Sequence, residues 1–299
     1  MNYWIWYATL STLSVIQKKK LLEIYETPER IFYLKTEDLA NLKFLKESNK
    51  MEILQNRNIQ LIEKYEVYMQ KNKIQMINFT EKEYPEKLKN IYDPPISLFL
   101  KGDIRLLKEF SLAIIGCREA SCYGLQIAEK MAYELAKEHT VIVSGMAKGI
   151  DGAAHRGAMD AKGKTIAVLG TGVDYPYPFI NLEVYQKILQ TGGLLVSEYL
   201  VGTKPVPRHF PARNRIISAL SEGILVVEAK KKSGTMITVD FALEQGKNVY
   251  VVPGNINSLN SEGTNELIKQ GAKLVSKIED ILEDFWRKFQ VLFVFTFEL

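Results

Sequence analysis

Residues 111–119 read Ser-Leu-Ala-Ile-Ile-Gly-Cys-Arg-Glu, and this stretch decides the fold. The apolar run 112–115 has the length and branching of a buried strand. It stops at Gly116, and Arg118 follows two residues later. After Tyr123-Gly124 the apolar spacing turns helical, at Ile127, Met131 and Leu135. Strand, glycine turn, helix is how an open α/β sheet builds a phosphate site, because N–H groups at the helix start face the anion. A dinucleotide fingerprint wants three glycines spaced G-x-G-x-x-G. Here Gly116 and Gly124 frame the turn and a guanidinium sits inside it, which points to a phosphate-rich ligand held by an arginine fork and away from NAD.

The pattern repeats outward from this unit. Strands are expected at 112–115, 140–143, 165–169, 194–196, 224–227 and 248–252, with helices at 124–138, 150–162, 181–191, 212–220, 235–246 and 263–270. Strands alternating with helices make βαβ units and a parallel sheet. The fold class is therefore α/β: an extended, Rossmann-like, doubly wound and mostly parallel sheet. Its ligand crevice is expected at the carboxyl ends of the strands. Small polar loops fall at that edge: Ser144-Gly145-Met146-Ala147-Lys148-Gly149, then Gly170-Thr171-Gly172, then Lys230-Lys231-Lys232-Ser233-Gly234-Thr235. Small residues let backbone N–H groups approach a ligand closely.

Residues 1–72 read as a small all-helical domain with Trp4, Trp6, Tyr25, Ile31 and Phe32 in its core. A connector, 73–103, is punctuated by Tyr84-Pro85 and Pro94-Pro95, with an edge strand expected at 96–100. The second domain, connector included, spans 73–285 and is followed by an apolar tail, 286–299. A net charge of +4 permits an anionic partner without demanding one. The basic residues cluster, however: Lys204, Arg208, Arg213, Arg215 and Lys230 to Lys232 face only Glu222 and Glu228 between 202 and 235. Pro211 is a plausible helix-start residue, which would put Arg213, Asn214 and Arg215 in a first turn near the cleft. Arginine opposes the macrodipole there, so an anion is expected nearby. Phe179 and Phe210 are candidates to stack on bases, together with Tyr175, Tyr177 and His209.

Catalytic and metal patterns are poor. Cys117 and Cys122 form no CxxC pair, which excludes a disulfide framework and argues against zinc. His155, one helical turn past Asp151, is positioned to bond it and so to fix a helix start. The N-terminus lacks the basic region of a signal peptide, and no apolar run reaches membrane-span length, so a cytoplasmic protein is expected. No catalytic residue, metal or cofactor is expected.

Taken in order, these segments resemble the DNA-processing protein A family (DprA, also called Smf). The matching stretches are 112–124, 144–155, 165–172, Ser197-Glu198-Tyr199, 210–217, 226–238, Val252-Pro253-Gly254 and 263–272. The resemblance implies a dimeric, non-enzymatic protein that binds and protects single-stranded DNA in a basic pocket during natural transformation or recombination. It also implies help in loading the RecA recombinase. The family's Gly-Ser-Arg turn corresponds to Gly116-Cys117-Arg118, so phosphate gripping is carried to Arg118. The basic residue of its Ser-Gly-x-Ala-x-Gly-Ile-Asp motif corresponds to Lys148. On the loop and charge pattern the pocket would be completed by Gly116, Ser144, Gly145, Gly170, Gly172, Arg213, Asn214, Arg215, Lys232, Ser233, Gly234 and Thr235.

Two features depart from the family. The Tyr177-Pro178-Phe179 loop has no lysine between Lys164 and Lys187, where many relatives carry a basic residue. A C-terminal winged-helix domain, present in many relatives, is expected to be absent here, the chain ending in an apolar run that points to truncation or an altered frame. A second reading is a nucleotide phosphoribohydrolase of the lysine-decarboxylase-like type. That family's Pro-Gly-Gly-x-Gly-Thr-x-x-Glu motif has its nearest counterpart at 232–238, where Thr238 takes the place of the glutamate needed as general acid or base.

Overall fold

A computed structural model describes residues 1–285. Six helices come first: α1 (Tyr3–Thr9), α2 (Val15–Tyr25), α3 (Pro28–Phe32), α4 (Thr36–Ala40), α5 (Glu47–Gln55) and α6 (Ile59–Lys71). Several starts follow from capping chemistry. Ser14 and Gln17 form a capping box at α2, and Asn58 accepts from Leu61 N at α6. Next come β1 (Gln75–Asn78), α7 (Glu86–Lys89) and β2 (Ser97–Gly102). The alternating body holds β3 (Ser111–Ile115), α8 (Cys122–Lys137), β4 (Val141–Ser144), α9 (Ile150–Asp160), β5 (Thr165–Val168), α10 (Leu182–Gln190) and β6 (Leu194–Ser197). It continues with α11 (His209–Leu220), β7 (Gly223–Val226), α12 (Gly234–Glu244), β8 (Asn248–Val251), α13 (Glu262–Lys269) and β9 (Lys273–Leu274).

The nine strands form one sheet in the order β1-β2-β6-β5-β4-β3-β7-β8-β9. From β6 to β9 every pairing is parallel, while β1–β2 and β2–β6 are antiparallel. The sheet is thus the expected one, with one correction at its edge. The segment expected as an edge strand, β2, lies inside, because β1 covers it. Sequence reading missed β1 and, at the opposite edge, the two-residue β9. The chain winds outward from β3 through β4 and β5 to β6, then returns to the other side of β3 at β7. The winding direction therefore switches between β3 and β7, and ligands of open α/β sheets bind at such points.

Period-two alternation sends successive β3 residues to opposite faces. Leu112 and Ile114 pack with Met131 and Leu135 of α8 and Ala154 of α9. Ala113 and Ile115 pack with Ile216 and Ile217 of α11 and Val239 of α12. The expected N-terminal core holds, since Trp6, Ile31 and Phe32 are buried, with Trp4 and Tyr25 packed against them. That core does not stop at residue 72. It is continuous with Phe99, Leu169, Val173 and Leu195 of the sheet unit, and the Tyr68 hydroxyl donates to Asp174 at 2.8 Å. The apolar tail 286–299 lies outside the described residues. Among the described residues no helix is long and apolar enough to cross a membrane.

Candidate nucleic-acid interface

A cleft of about 460 Å³ opens at the switch between β3 and β7. One wall is the turn after β3, with Gly116, Cys117, Arg118 and Glu119; the facing wall is the start of α11, with Phe210, Pro211, Arg213 and Asn214. Lys230, Ser233, Gly234, Thr235 and Thr238 close one end, and Ala147 and Asp151 form part of the floor.

Each wall is built from local chemistry. After β4 the chain must turn sharply, and it does so with Met146 at φ 62° and Gly149 at φ 83°. A side chain at Gly149 would run into the carbonyl oxygens of Cys117 and Arg118, so glycine lets this turn pass beneath the β3 turn. Asn181 Nδ2 fastens it by donating to the Met146 and Ala147 carbonyls, both at 2.9 Å. At α11 the helix begins at His209, whose ring stacks on Tyr199 with centroids 3.9 Å apart. Phe210 takes the space that Gly170 leaves open, since a Cβ on Gly170 would stand 2.8 Å from Phe210 Cδ1. The Arg118 guanidinium lies over the Phe210 ring, 5.9 Å from its centroid, and Tyr177 approaches the same ring at 5.4 Å. An exposed cation thus sits over an aromatic face at the cleft mouth.

Arg213 is buried in the floor. Its Nη1 donates to the Gly145 carbonyl at 2.7 Å and also to the Val168 carbonyl, and its Nε donates to Asn214 Oδ1 at 3.2 Å. Burial pulls its pKa down to about 10, against the attraction of Asp151, so it stays cationic at neutral pH. Asp151 is buried too. Burial pushes its carboxyl up while Arg213 and the Ala147 N–H, at 3.1 Å, pull it down. Gly145 lies between the two charges: a Cβ there would stand 2.7 Å from Asp151 Oδ2 and 2.9 Å from Arg213 Nη2.

The structure brings Gly116, Arg118, Arg213, Asn214, Ser233, Gly234, Thr235 and Phe210 together around one cleft. Several expected residues fall elsewhere. The Arg215 guanidinium points away, gripping Glu198 at 2.7 Å through both Nη atoms and the Asp93 carbonyl at 2.7 Å through Nε. The reason is the helix start: α11 begins two residues before Pro211, so Arg213 and Arg215 lie beyond the first turn, and Arg215 faces Glu198. The Ser144 hydroxyl is buried and donates to the Ile114 carbonyl at 2.6 Å. Gly170 serves as backing for Phe210, and Gly172 packs beside Asp174 and Leu200 away from the cleft. Lys230 lines the cleft in place of Lys232. Lys148 is exposed on the neighbouring turn, and Phe179 is 63% exposed beside Tyr175, outside the lining. His155 does not bond Asp151; its Nδ1 pairs with Thr165 Oγ1 at 2.7 Å in the core.

Sequence reading missed Glu228 and Asn260, which lie under the Arg118 turn. Glu228 was one of two acids in a basic stretch, and that isolation, right after a strand, was the available signal. Asn260 gave none. Among the described residues no group of three or more His, Cys, Asp or Glu side chains could hold a metal.

A βα switch-point cleft with an arginine turn, an aromatic lip and a basic end, set in a mostly parallel sheet, marks a Rossmann-like α/β protein. The chain belongs to the DNA recombination-mediator protein A family, whose model matches residues 75–286. It is 45% identical over 212 residues to the DNA processing protein DprA of Bacillus subtilis, covering 71% of each chain. It is 47% identical over 202 residues to the DprA of Streptococcus pneumoniae, covering 68% of this chain and 71% of that one. The X-ray structure of the S. pneumoniae protein superposes with a TM-score of 0.80 at 38% identity, covering 95% of this chain and 97% of that one. A structure of DNA processing protein A from Helicobacter pylori, which describes its single-stranded DNA binding mode, superposes with a TM-score of 0.65 at 34% identity. That match covers 72% of this chain and 96% of the other.

Proposed function

We propose that this cleft binds single-stranded DNA, and that the protein shields the strand and passes it to a RecA-type recombinase during recombination or natural transformation. The observation that carries the reading is the Arg118–Phe210 pair at the switch-point cleft, with Lys230 at one end and Arg213 in the floor. Phosphates would meet Arg118, Asn214, Lys230 and the N–H groups of the glycine turns. A base would stack on Phe210, with Tyr177 and Phe179 extending the aromatic surface. Every base has a π-face, so sequence preference is weak; a duplex hides those faces and is bound less well. The H. pylori relative, described for its single-strand binding, supports the same reading. So does Thr238 in the cleft lining, where a phosphoribohydrolase would need a carboxylate. In this reading the protein is a binder, not an enzyme, working in the cytoplasm as a homodimer.

Fluorescence anisotropy with labelled oligo(dT) and a matched duplex tests it. The expected result is preference for the single strand, with Phe210→Ala weakening binding by about 1–3 kcal/mol, the value of one base stack. Equal affinity for the duplex, or an unaffected Phe210→Ala variant, would contradict it. The mediator step is read by protection of the oligonucleotide from a single-strand nuclease and by faster RecA filament assembly.

A further inference from the structure

We infer that Glu228 and Asn260 are positioning residues that hold the 116–121 turn in the shape that aims Arg118 into the cleft; the inference rests on the single-strand-binding reading above. The turn is tied along its length. Cys117 N donates to the Glu228 carbonyl at 2.9 Å, and the Cys117 carbonyl accepts from Ile150 N at 3.2 Å. Asn260 Nδ2 donates to the Glu119 carbonyl at 2.9 Å. At the far end, Ser121 donates twice to the Glu228 carboxylate, through its N–H at 2.9 Å and its hydroxyl at 2.5 Å. Asn260 Nδ2 also reaches Glu228 Oε2 at 3.4 Å, and its carbonyl accepts from Ala229 N at 2.8 Å. Between these anchors the Arg118 side chain is exposed.

Gly124 makes room for this arrangement. A Cβ at Gly124, in the first turn of α8, would stand 2.5 Å from the Glu228 carboxyl carbon. The glycine that framed the turn in the sequence therefore accommodates a carboxylate of the protein itself, and Glu228 is 3% exposed. A buried negative charge beneath an anion-binding turn repels phosphate. Its removal thus has two effects of opposite sign: loss of repulsion tightens binding, while release of the Ser121 anchor, with the Cys117 bond to the Glu228 backbone carbonyl retained, lets Arg118 wander. Ser121 also caps α8 by accepting from Gly124 N at 3.0 Å, so the same hydroxyl couples the carboxylate to the helix start. The donors and acceptors are matched around Glu228, and the geometric effect dominates.

A double-mutant cycle reads this directly. Anisotropy with labelled oligo(dT) is measured for wild type, Arg118→Ala, Glu228→Gln, Asn260→Ala and each of the last two combined with Arg118→Ala. The expected result is about tenfold weaker binding for Glu228→Gln and for Asn260→Ala, the equivalent of one charge-assisted hydrogen bond. Neither change should weaken the Arg118→Ala protein further, because contacts acting through one group are not additive. Tighter binding by Glu228→Gln, or equal weakening with and without Arg118, overturns the inference. Should Glu228→Gln fail to fold, the Asn260→Ala cycle carries the same test. If Arg118→Ala itself binds like wild type, the single-strand reading fails, and this inference fails with it.

Discussion

At the scale of single residues, the arginines separate by what they face. Arg118 is exposed at the cleft mouth, Arg213 braces the floor, and Arg215 is a structural ion pair buried with Glu198, its side chain 7% exposed. Asp93 Oδ2 stands 3.3 Å from Arg215 Nε and keeps a second carboxylate beside the guanidinium, so Glu198→Ala should cost about 1–3 kcal/mol of unfolding free energy in urea denaturation, the cost of leaving buried donors unpaired. A loss below about 1 kcal/mol would mean that Arg215 finds solvent when its partner is gone. Sequence alone offered three equivalent arginines, because a pattern of charges does not say which of them meets a carboxylate seventeen residues upstream. His155 gives a second prediction. Burial, then the charges of Arg156 and Arg213, lower its pKa from 6.5 to about 3. Between those values the unfolded chain binds the proton and the folded chain does not. Stability is therefore fully present above about 6.5 and falls as pH drops toward 3, by about 1.4 kcal/mol per unit. Asp151, whose pKa burial raises, acts in the opposite sense: its contribution is lost as pH rises through its folded value. Thermal melts between pH 7 and 5 should show a shallower slope for His155→Gln than for wild type; identical slopes would contradict the assignment.

At the scale of elements, the sheet was legible because its strands are buried on both faces and so read as continuous apolar runs, each ended by a glycine or small polar turn. The termini were less legible: α11 starts at His209, three residues before the expected 212, because the Tyr199–His209 stack and the Phe210–Gly170 fit are tertiary contacts. The edge at β1 was missed for the same reason, its register with β2 running from Gln75 opposite Leu100 to Asn78 opposite Ser97. The α8–α9 contact gives the prediction at this scale. A Cβ at Gly157 would press on the Glu129 backbone carbonyl of the facing helix. Alanine gains up to about 1 kcal/mol in helix propensity, but overpacking against backbone costs about 1–3 kcal/mol. Gly157→Ala should therefore lower the urea midpoint, and a raised midpoint would show that the helices can part freely.

At the scale of the whole molecule, the N-terminal helices and the sheet share one apolar core, and the cleft is assembled from turns that follow β3, β4 and β7 together with the start of α11. Half of the residues expected at the site line the cleft, those on the turns after β3 and β7 and at the start of α11, where turn chemistry is local. The supporting acids and amides were not legible in the sequence, because burial and partner are properties of the folded chain. The proposed function requires that these turns converge on the phosphates of a single strand, with Arg118 as a direct contact. The most direct measurement is the salt dependence of oligo(dT) affinity for wild type and Arg118→Ala. Each phosphate contact on a single strand contributes about 0.7 to the slope of log K against log salt. Arg118→Ala should bind more weakly at low salt, with a slope shallower by about 0.7. Unchanged affinity and slope in a folded Arg118→Ala protein would contradict it.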